Sequence, residues 1–91
     1  MHAVVVNVTI KDFEPARQGL LEQVVPAVSQ APGFVAGYWT QAEGNRGLGM
    51  VVFESEDAAR AAAERIRSDG SPTPDAVTLD SVDVNEVVAN A

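Results

Sequence analysis

The tetrapeptide Ala31-Pro32-Gly33-Phe34 separates two segments with different hydrophobic periodicities. After it, residues alternate from Phe34 to Gln41 as in a strand, whereas before it apolar residues recur at helical spacing, at Leu20, Leu21, Val24, Val25 and Val28. Proline presets the first corner of a tight turn, and glycine tolerates the positive φ of the second. The sequence therefore predicts a helix that ends before Pro32, a tight turn, and a strand that begins at Phe34.

The first strand is predicted from strict alternation between residues 4 and 10. One face is wholly apolar and the other is mixed, the two sets being Val4, Val6, Val8 and Ile10 against Val5, Asn7 and Thr9. Successive side chains of a strand point to opposite faces of the sheet. We expect the apolar face to lie under helices and the mixed face to line a cavity or a subunit interface.

A hairpin and a second helix are predicted in the middle of the chain. Residues 43–47 have the turn sequence Glu-Gly-Asn-Arg-Gly, and a third strand follows over Leu48 to Glu54. Ser55 suits the N-cap of a helix, and two acidic residues follow it where the helix dipole favours negative charge. An alanine-rich stripe then leads to Gly70, which is expected to end the helix.

Two irregularities are predicted within these elements. Pro26 lies inside the first helical pattern, where it removes a backbone hydrogen bond and is expected to kink or weaken the last turns. In the last strand, the apolar phase shifts by one residue between Leu79 and Val82. A shift of this kind indicates a bulge near Asp80–Ser81.

The order strand, helix, strand, strand, helix, strand is typical of an α+β ferredoxin-like βαββαβ sandwich, here a single domain over residues 1–91. Crossover connections place both helices on one face of an antiparallel sheet. The other face is then bare, and its expected members are Val5, Asn7, either Tyr38 or Trp39, and Val51. Because a bare apolar face normally acquires a cover, we expect a homodimer in which two sheets form a dimeric α/β barrel. We expect the tail with Val87 and Val88 to dock as well, on the second subunit.

Composition narrows the classes of function. The chain carries 13 acidic and six basic residues, a formal net charge of −7, which disfavours nucleic acid and anionic membrane as partners. It has no cysteine, which removes disulfides, thiolate catalysis and cysteine-bound metals. Residues 1–10 have the pattern of a strand and no basic segment before an apolar run, so we expect no signal peptide and a cytoplasmic location.

Three short motifs of the chain resemble those of a known protein family. The first strand with Asn7, the turn Pro32-Gly33-Phe34, and Phe53-Glu54-Ser55-Glu56-Asp57-Ala58 at the start of the second helix resemble the antibiotic-biosynthesis-monooxygenase family. The similar layout covers essentially the whole chain. The resemblance implies a dimeric barrel with a pocket in each subunit between helices and sheet. Known activities of the family include cofactor-independent oxygenation of aromatic polyketides and quinols, and oxidative haem breakdown.

The sequence argues against haem breakdown, because two of the three residues that this activity uses in the family are missing. That branch of the family uses an asparagine on the first strand, a tryptophan in the second helix and a later histidine. Asn7 matches the first of these, but the tryptophan position falls at about Ala62, and no histidine follows His2. Without the histidine the chain has no axial ligand for haem iron.

The quinol-oxygenating branch matches the chain better, because its chemistry needs no metal or other cofactor. It needs hydrogen-bond donors that hold a phenol or quinol and stabilise its anion while oxygen adds. The resemblance makes Asn7 the catalytic candidate. Tyr38, Trp39 and Arg46 carry donors and are the candidate substrate-binding residues.

Each candidate also has a structural interpretation. Asn7 would be an ordinary polar residue, hydrogen-bonded at a dimer face, and Arg46 a solvated residue of a hairpin turn. Tyr38 and Trp39 lie on opposite sides of one strand, and both residue types are common core or interface anchors. Two hypotheses follow: a cofactor-free monooxygenase acting on a small aromatic or quinol substrate, or a non-catalytic dimeric barrel that binds a small ligand or a partner protein.

Overall fold

The computed structural model describes residues 1–91. Four strands form one antiparallel sheet in the order β2-β3-β1-β4. Their bounds are β1 His2–Ile10, β2 Phe34–Ala42, β3 Arg46–Phe53 and β4 Val77–Glu86. A helical region follows β1 and a second helix, α3 (Glu56–Asp69), follows β3, which gives the predicted α+β order.

The first helical region is irregular near the proline. It consists of α1 (Phe13–Gly19), a π-helical segment (Leu20–Val24) and α2 (Val25–Ser29). The Val25 amide donates to the Leu20 carbonyl, a bond that skips one residue more than in an α-helix. Pro26 comes directly after it and has no amide hydrogen to continue the ladder. The expected disturbance is therefore present, and it takes the form of a π turn just before the proline.

The predicted turn after this region is present, and the structure shows that it is of type II. The Phe34 amide donates to the Ala31 carbonyl at 3.2 Å, and Gly33 has a φ of 80°, as the third residue of a type II turn requires. The Gly33 carbonyl accepts from the Glu54 amide at 2.8 Å. A Cβ on Gly33 would lie 2.9 Å from that of Ala58. The glycine therefore lets the turn pack against the start of α3.

Helix α3 is capped at both ends as expected. The Ser55 side chain accepts a hydrogen bond from the Ala58 amide at 3.1 Å, which satisfies one of the free amides of the first turn. At the other end, the Gly70 amide donates to the Ile66 carbonyl at 2.9 Å, and Gly70 has a φ of 66°.

The predicted bulge lies in β4. Asn7 pairs with Ser81 and Val8 pairs with Leu79, so Asp80 is left without a partner in the ladder. Thr9 Oγ1 donates to the Asp80 carboxylate at 2.6 Å. The extra residue brings both Leu79 and Val82 to the side of the sheet that faces the helices, which accounts for the shifted apolar phase.

Both helices lie on one face of the sheet, called here the helix face, and the opposite side is called the open face. The core lies between α3 and the helix face and consists of Val4, Val51, Phe53, Ala59, Ala62 and Ala63. Val51 is only 2 % exposed, so its expected place on the open face is wrong. It pairs with Val4 and shares the core side of the pleat with it. Tyr38, not Trp39, lies on the open face.

Beyond β4, the chain continues along β1 for one residue. The Val87 amide donates to the Met1 carbonyl at 3.0 Å, whereas the Val88 side chain is 89 % exposed. Docking of this tail on a second subunit stays a prediction.

Candidate ligand-binding site

A cavity of about 710 Å³ lies between the first helical region, α3 and the helix face of the sheet. Hydrophobic residues make up 18 of the 30 that line it. Its volume falls within the range of small-molecule sites, roughly 300–1,000 Å³. The space is therefore large enough for a ligand and mostly apolar.

The cavity exists because the sheet beneath it carries little side-chain volume. On the helix face, β3 has Gly47 and Gly49 opposite the valines Val8 and Val6 of β1. A Cβ on Gly47 would lie 2.8 Å from Val8, and one on Gly49 would lie 2.9 Å from Trp39. Neighbouring side chains thus lean over the two glycines and cover the backbone, but they do not fill the space above it.

Trp39 is the largest side chain in the wall. Its indole lies over two glycines, Gly37 and Gly49. A Cβ added to Gly37 would lie 2.8 Å from the ring, and a Cβ added to Gly49 would lie 2.9 Å from it. The strand alternation that places Trp39 on the helix face also packs it against the core. The indole therefore forms a wall between the core and the cavity.

Small residues of α1 and the loop before β4 close the side of the cavity. Ala16 and Gly19 are the buried residues of α1. A Cβ on Gly19 would lie 2.9 Å from the Thr73 side chain, so the helix and the loop before β4 touch at this point. The Thr73 carbonyl accepts from the amides of Ala76 and Val77, both at 2.9 Å, which folds the loop into a turn.

Three charged side chains line the cavity: Arg17 on α1, and Arg65 and Asp69 on α3. All three are also exposed to solvent, so they lie where the cavity opens. Gln23 and Gln41 add uncharged polar groups. The arrangement offers an apolar interior with hydrogen-bond donors at its mouth.

The four predicted site residues do not come together. Trp39 lines the cavity, but Asn7 lies on the open face, where its Nδ2 donates to Ser81 Oγ at 3.1 Å. Tyr38 is also on the open face and is 65 % exposed. Arg46 is exposed at the start of β3, and its Nε donates to the Glu43 carbonyl at 3.5 Å.

A separate polar cluster lies at the start of α3. Arg60 donates to Glu56 at 2.9 Å, and this bond together with the arginine's charge lowers the pKa of the Glu56 carboxyl below its usual range. His2 Nε2 lies 4.0 Å from the same carboxylate, and His2 Nδ1 is buried without a partner. None of these residues lines the cavity. The chain has no group of three potential metal ligands.

Two glycines of β3 mark the position of the cavity in the sequence. Gly47 and Gly49 stand two residues apart in a strand, so both lie on one face, and that face also carries Val51. Two glycines in phase with core residues mark a place where the sheet lacks side chains. Arg17 and Arg65 carry no comparable signal, because only the packing of the two helical elements brings both to one cavity.

Comparison with known proteins assigns no relative. No protein-family model matches the chain, and no curated protein matches it significantly. Its longest helix, α3, has 14 residues and is charged, and no helix meets the length and apolarity needed to cross a bilayer.

Proposed function

We propose that this chain binds a small, largely apolar ligand in the cavity, as a homodimeric α/β barrel related to the antibiotic-biosynthesis-monooxygenase family. The observation that carries the proposal is the cavity itself, at about 710 Å³ with a mostly apolar lining. A domain of this size normally packs its interior densely, with few voids larger than a water molecule. An apolar cleft of this volume that opens to solvent is a typical site for a small ligand.

A titration with the neutral aromatic 1-pyrenebutanol tests this proposal. Val24 lines the cavity from the π-helical segment, so Val24→Phe is expected to fill part of the space. Binding should weaken by about tenfold or more, as for one methylene group too many in a tight apolar pocket. Val88→Phe is the matched control because Val88 is exposed outside the lining. Absence of binding to the wild type, or equal binding by Val24→Phe, would contradict the proposal.

A second candidate function is cofactor-free oxygenation of an aromatic or quinol substrate. An apolar cavity with donors at its mouth suits this chemistry, since it excludes water and stabilises an anion where charge develops. Asn7 is hydrogen-bonded to Ser81 outside the cavity, so its catalytic involvement requires a substrate on the open face. Oxygen consumption with anthrones and quinols is the measurement. If Asn7 is catalytic, Asn7→Ala should slow the reaction by about 10²–10³. No consumption by the wild type would leave ligand binding as the function.

The homodimer is proposed from the open face. Large apolar side chains there have no cover: Tyr38 is 65 % exposed, Met50 40 % and Leu48 38 %. These residues are neighbours across β2 and β3, so they form one patch. A second copy presents the same patch, and two sheets that face each other would cover both at once. Its polar neighbours Asn7 and Ser81 already share one hydrogen bond.

Sedimentation tests the dimer. Met50→Asp places a charge in the middle of the patch without touching the core, and it should convert a dimer to a monomer at micromolar concentration. Glu54→Asp, exposed beyond the end of β3, is a control that should leave the mass unchanged. A wild type that sediments as a monomer would overturn the dimer and leave the cavity proposal standing.

A further inference from the structure

The charged residues that line the cavity differ in balance from those of the whole chain. The chain carries 13 acidic and six basic residues, yet the cavity lining holds two arginines and one aspartate. A cleft whose charge differs from its surroundings concentrates ligands of the complementary sign. The excess of arginine among the charged lining residues therefore bears on which ligand the cavity takes.

Both arginines are without an ionic partner. The ion pairs of the chain are His2–Glu56, Arg60–Glu56 and Arg67–Glu64, and neither Arg17 nor Arg65 belongs to one. Their side chains also make no hydrogen bond within the chain. By contrast, Arg67 donates to the Val82 carbonyl and Arg60 to Glu56. The two arginines of the mouth keep their donors available.

The two arginines come from different elements. Arg17 lies on α1 and Arg65 on α3, and both line one cavity. Guanidinium groups at the rim of an apolar space fit a ligand with a single anionic head and an apolar body. The fork of donors on each group matches a carboxylate.

We infer that the ligand of the cavity is an amphipathic carboxylate, whose apolar body enters the space between helices and sheet while its head binds Arg17 and Arg65. This inference rests on the proposed function and narrows it to one chemical class. The apolar walls exclude water from the body of the ligand, and the exposed guanidinium groups let the head stay partly hydrated. A neutral ligand of the same shape would use the walls and leave both arginines unused.

Acidic neighbours oppose this arrangement. Asp69 lines the same cavity, one helical turn after Arg65, but the two form no ion pair. Glu14 and Glu22 share a shallow surface groove with Arg17, again without an ion pair. The ordinary interpretation of unpaired arginines is a solvated surface. It predicts no discrimination between charged and neutral ligands, so a measurement separates the two.

The experiment compares two probes that differ only in their head group, 1-pyrenebutyrate and 1-pyrenebutanol, by isothermal titration calorimetry. The carboxylate should bind the wild type about tenfold more tightly, as expected for one hydrogen bond between charged groups. In the double variant Arg17→Gln, Arg65→Gln, its affinity should fall to that of the alcohol. The affinity for the alcohol should stay unchanged, since the variant leaves the apolar walls intact.

Arg60→Gln is the matched control. It removes one positive charge from α3, the helix that carries Arg65, but outside the cavity lining, and it should leave the preference for the carboxylate unchanged. Equal affinity of the wild type for both probes would overturn the inference but leave the proposed function intact. Binding of neither probe would overturn both. If the double variant does not fold, the comparison of the two probes on the wild type still decides the matter.

Discussion

The two faces of the sheet are built from the same strands and differ in almost every physical respect. On β3, Val51 and Phe53 of the helix face are 2 % and 1 % exposed, whereas Met50 of the open face is 40 % exposed. The helix face owes its burial to α3 and the first helical region. The open face has no cover within the chain. The comparison shows that hydrophobic residues in one strand have two different environments: they form a core on one side and an uncovered surface on the other.

The comparison is tested most strongly by truncating one side chain on each face. Phe53→Ala removes a fully buried ring that packs edge to face against Phe34, and it should lower the free energy of unfolding by about 3–5 kcal/mol. Met50→Ala should cost clearly less when unfolding is measured under conditions where the chain is monomeric. Urea titrations of both variants provide the measurement. Similar losses would mean that the open face is part of the folding core.

Much of the fold could be predicted because local chemistry decides it. The turn at Pro32-Gly33 follows from the fixed φ of proline and the positive φ of glycine. The caps of α3 follow from Ser55 and Gly70. The bulge at Asp80 follows from a phase shift in the apolar pattern. Each of these features depends on residues within a short stretch of chain.

The site was harder to predict because it depends on which elements pack together. Alternation shows that Tyr38 and Trp39 point to opposite sides, but it does not show which side the helices cover. The partner of Asn7, Ser81, is distant in sequence and is set by the register of β1 and β4. The opening with Arg17 and Arg65 depends on how two helical elements lie on the sheet, and no local pattern encodes that.

A smaller change in stability is expected when a methyl group is added at Gly49, where the helix face lacks side chains. Gly49→Ala adds a methyl group 2.9 Å from Trp39 Cδ1, so the indole must move toward the cavity. Overpacking of this kind typically costs about 1–3 kcal/mol, and the emission of the only tryptophan should shift with it. Gly47→Ala is the control for the emission, since its added group would meet Val8 at 2.8 Å and not Trp39. A more stable Gly49→Ala with unchanged emission would show that Trp39 does not rest on this glycine.

On the open face, the hydrogen bond between Asn7 and Ser81 should make a modest contribution to stability. A hydrogen bond such as theirs, at 3.1 Å, contributes about 0.5–1.5 kcal/mol to stability. Asn7→Ala and Ser81→Ala should each lose about that much, and the double variant should lose less than the sum of the two. Additive losses would show that the two side chains do not depend on each other. Asn7 would then be free to bind a substrate, which would favour the oxygenase candidate.

The smallest effect concerns a carboxyl group that lies on neither face. Arg60, by its hydrogen bond and charge, and to a smaller extent the charge of His2, hold the pKa of Glu56 below its ordinary value of 4.5. A group with a lower pKa in the folded chain stabilises the fold above its unfolded pKa, and this stabilisation is lost as pH falls through the folded value.

Stability should therefore decline below about pH 4.5 more steeply in the wild type than in Glu56→Gln, which has no carboxyl group to protonate at this position. Urea unfolding at several pH values measures this difference, and added salt should reduce it because the pair is exposed. Arg60→Gln should remove most of the pH dependence that Glu56 contributes, since Arg60 is the main cause of its lowered pKa. If Arg60→Gln kept the pH dependence of the wild type, Arg60 would not be the main cause of the lowered pKa of Glu56.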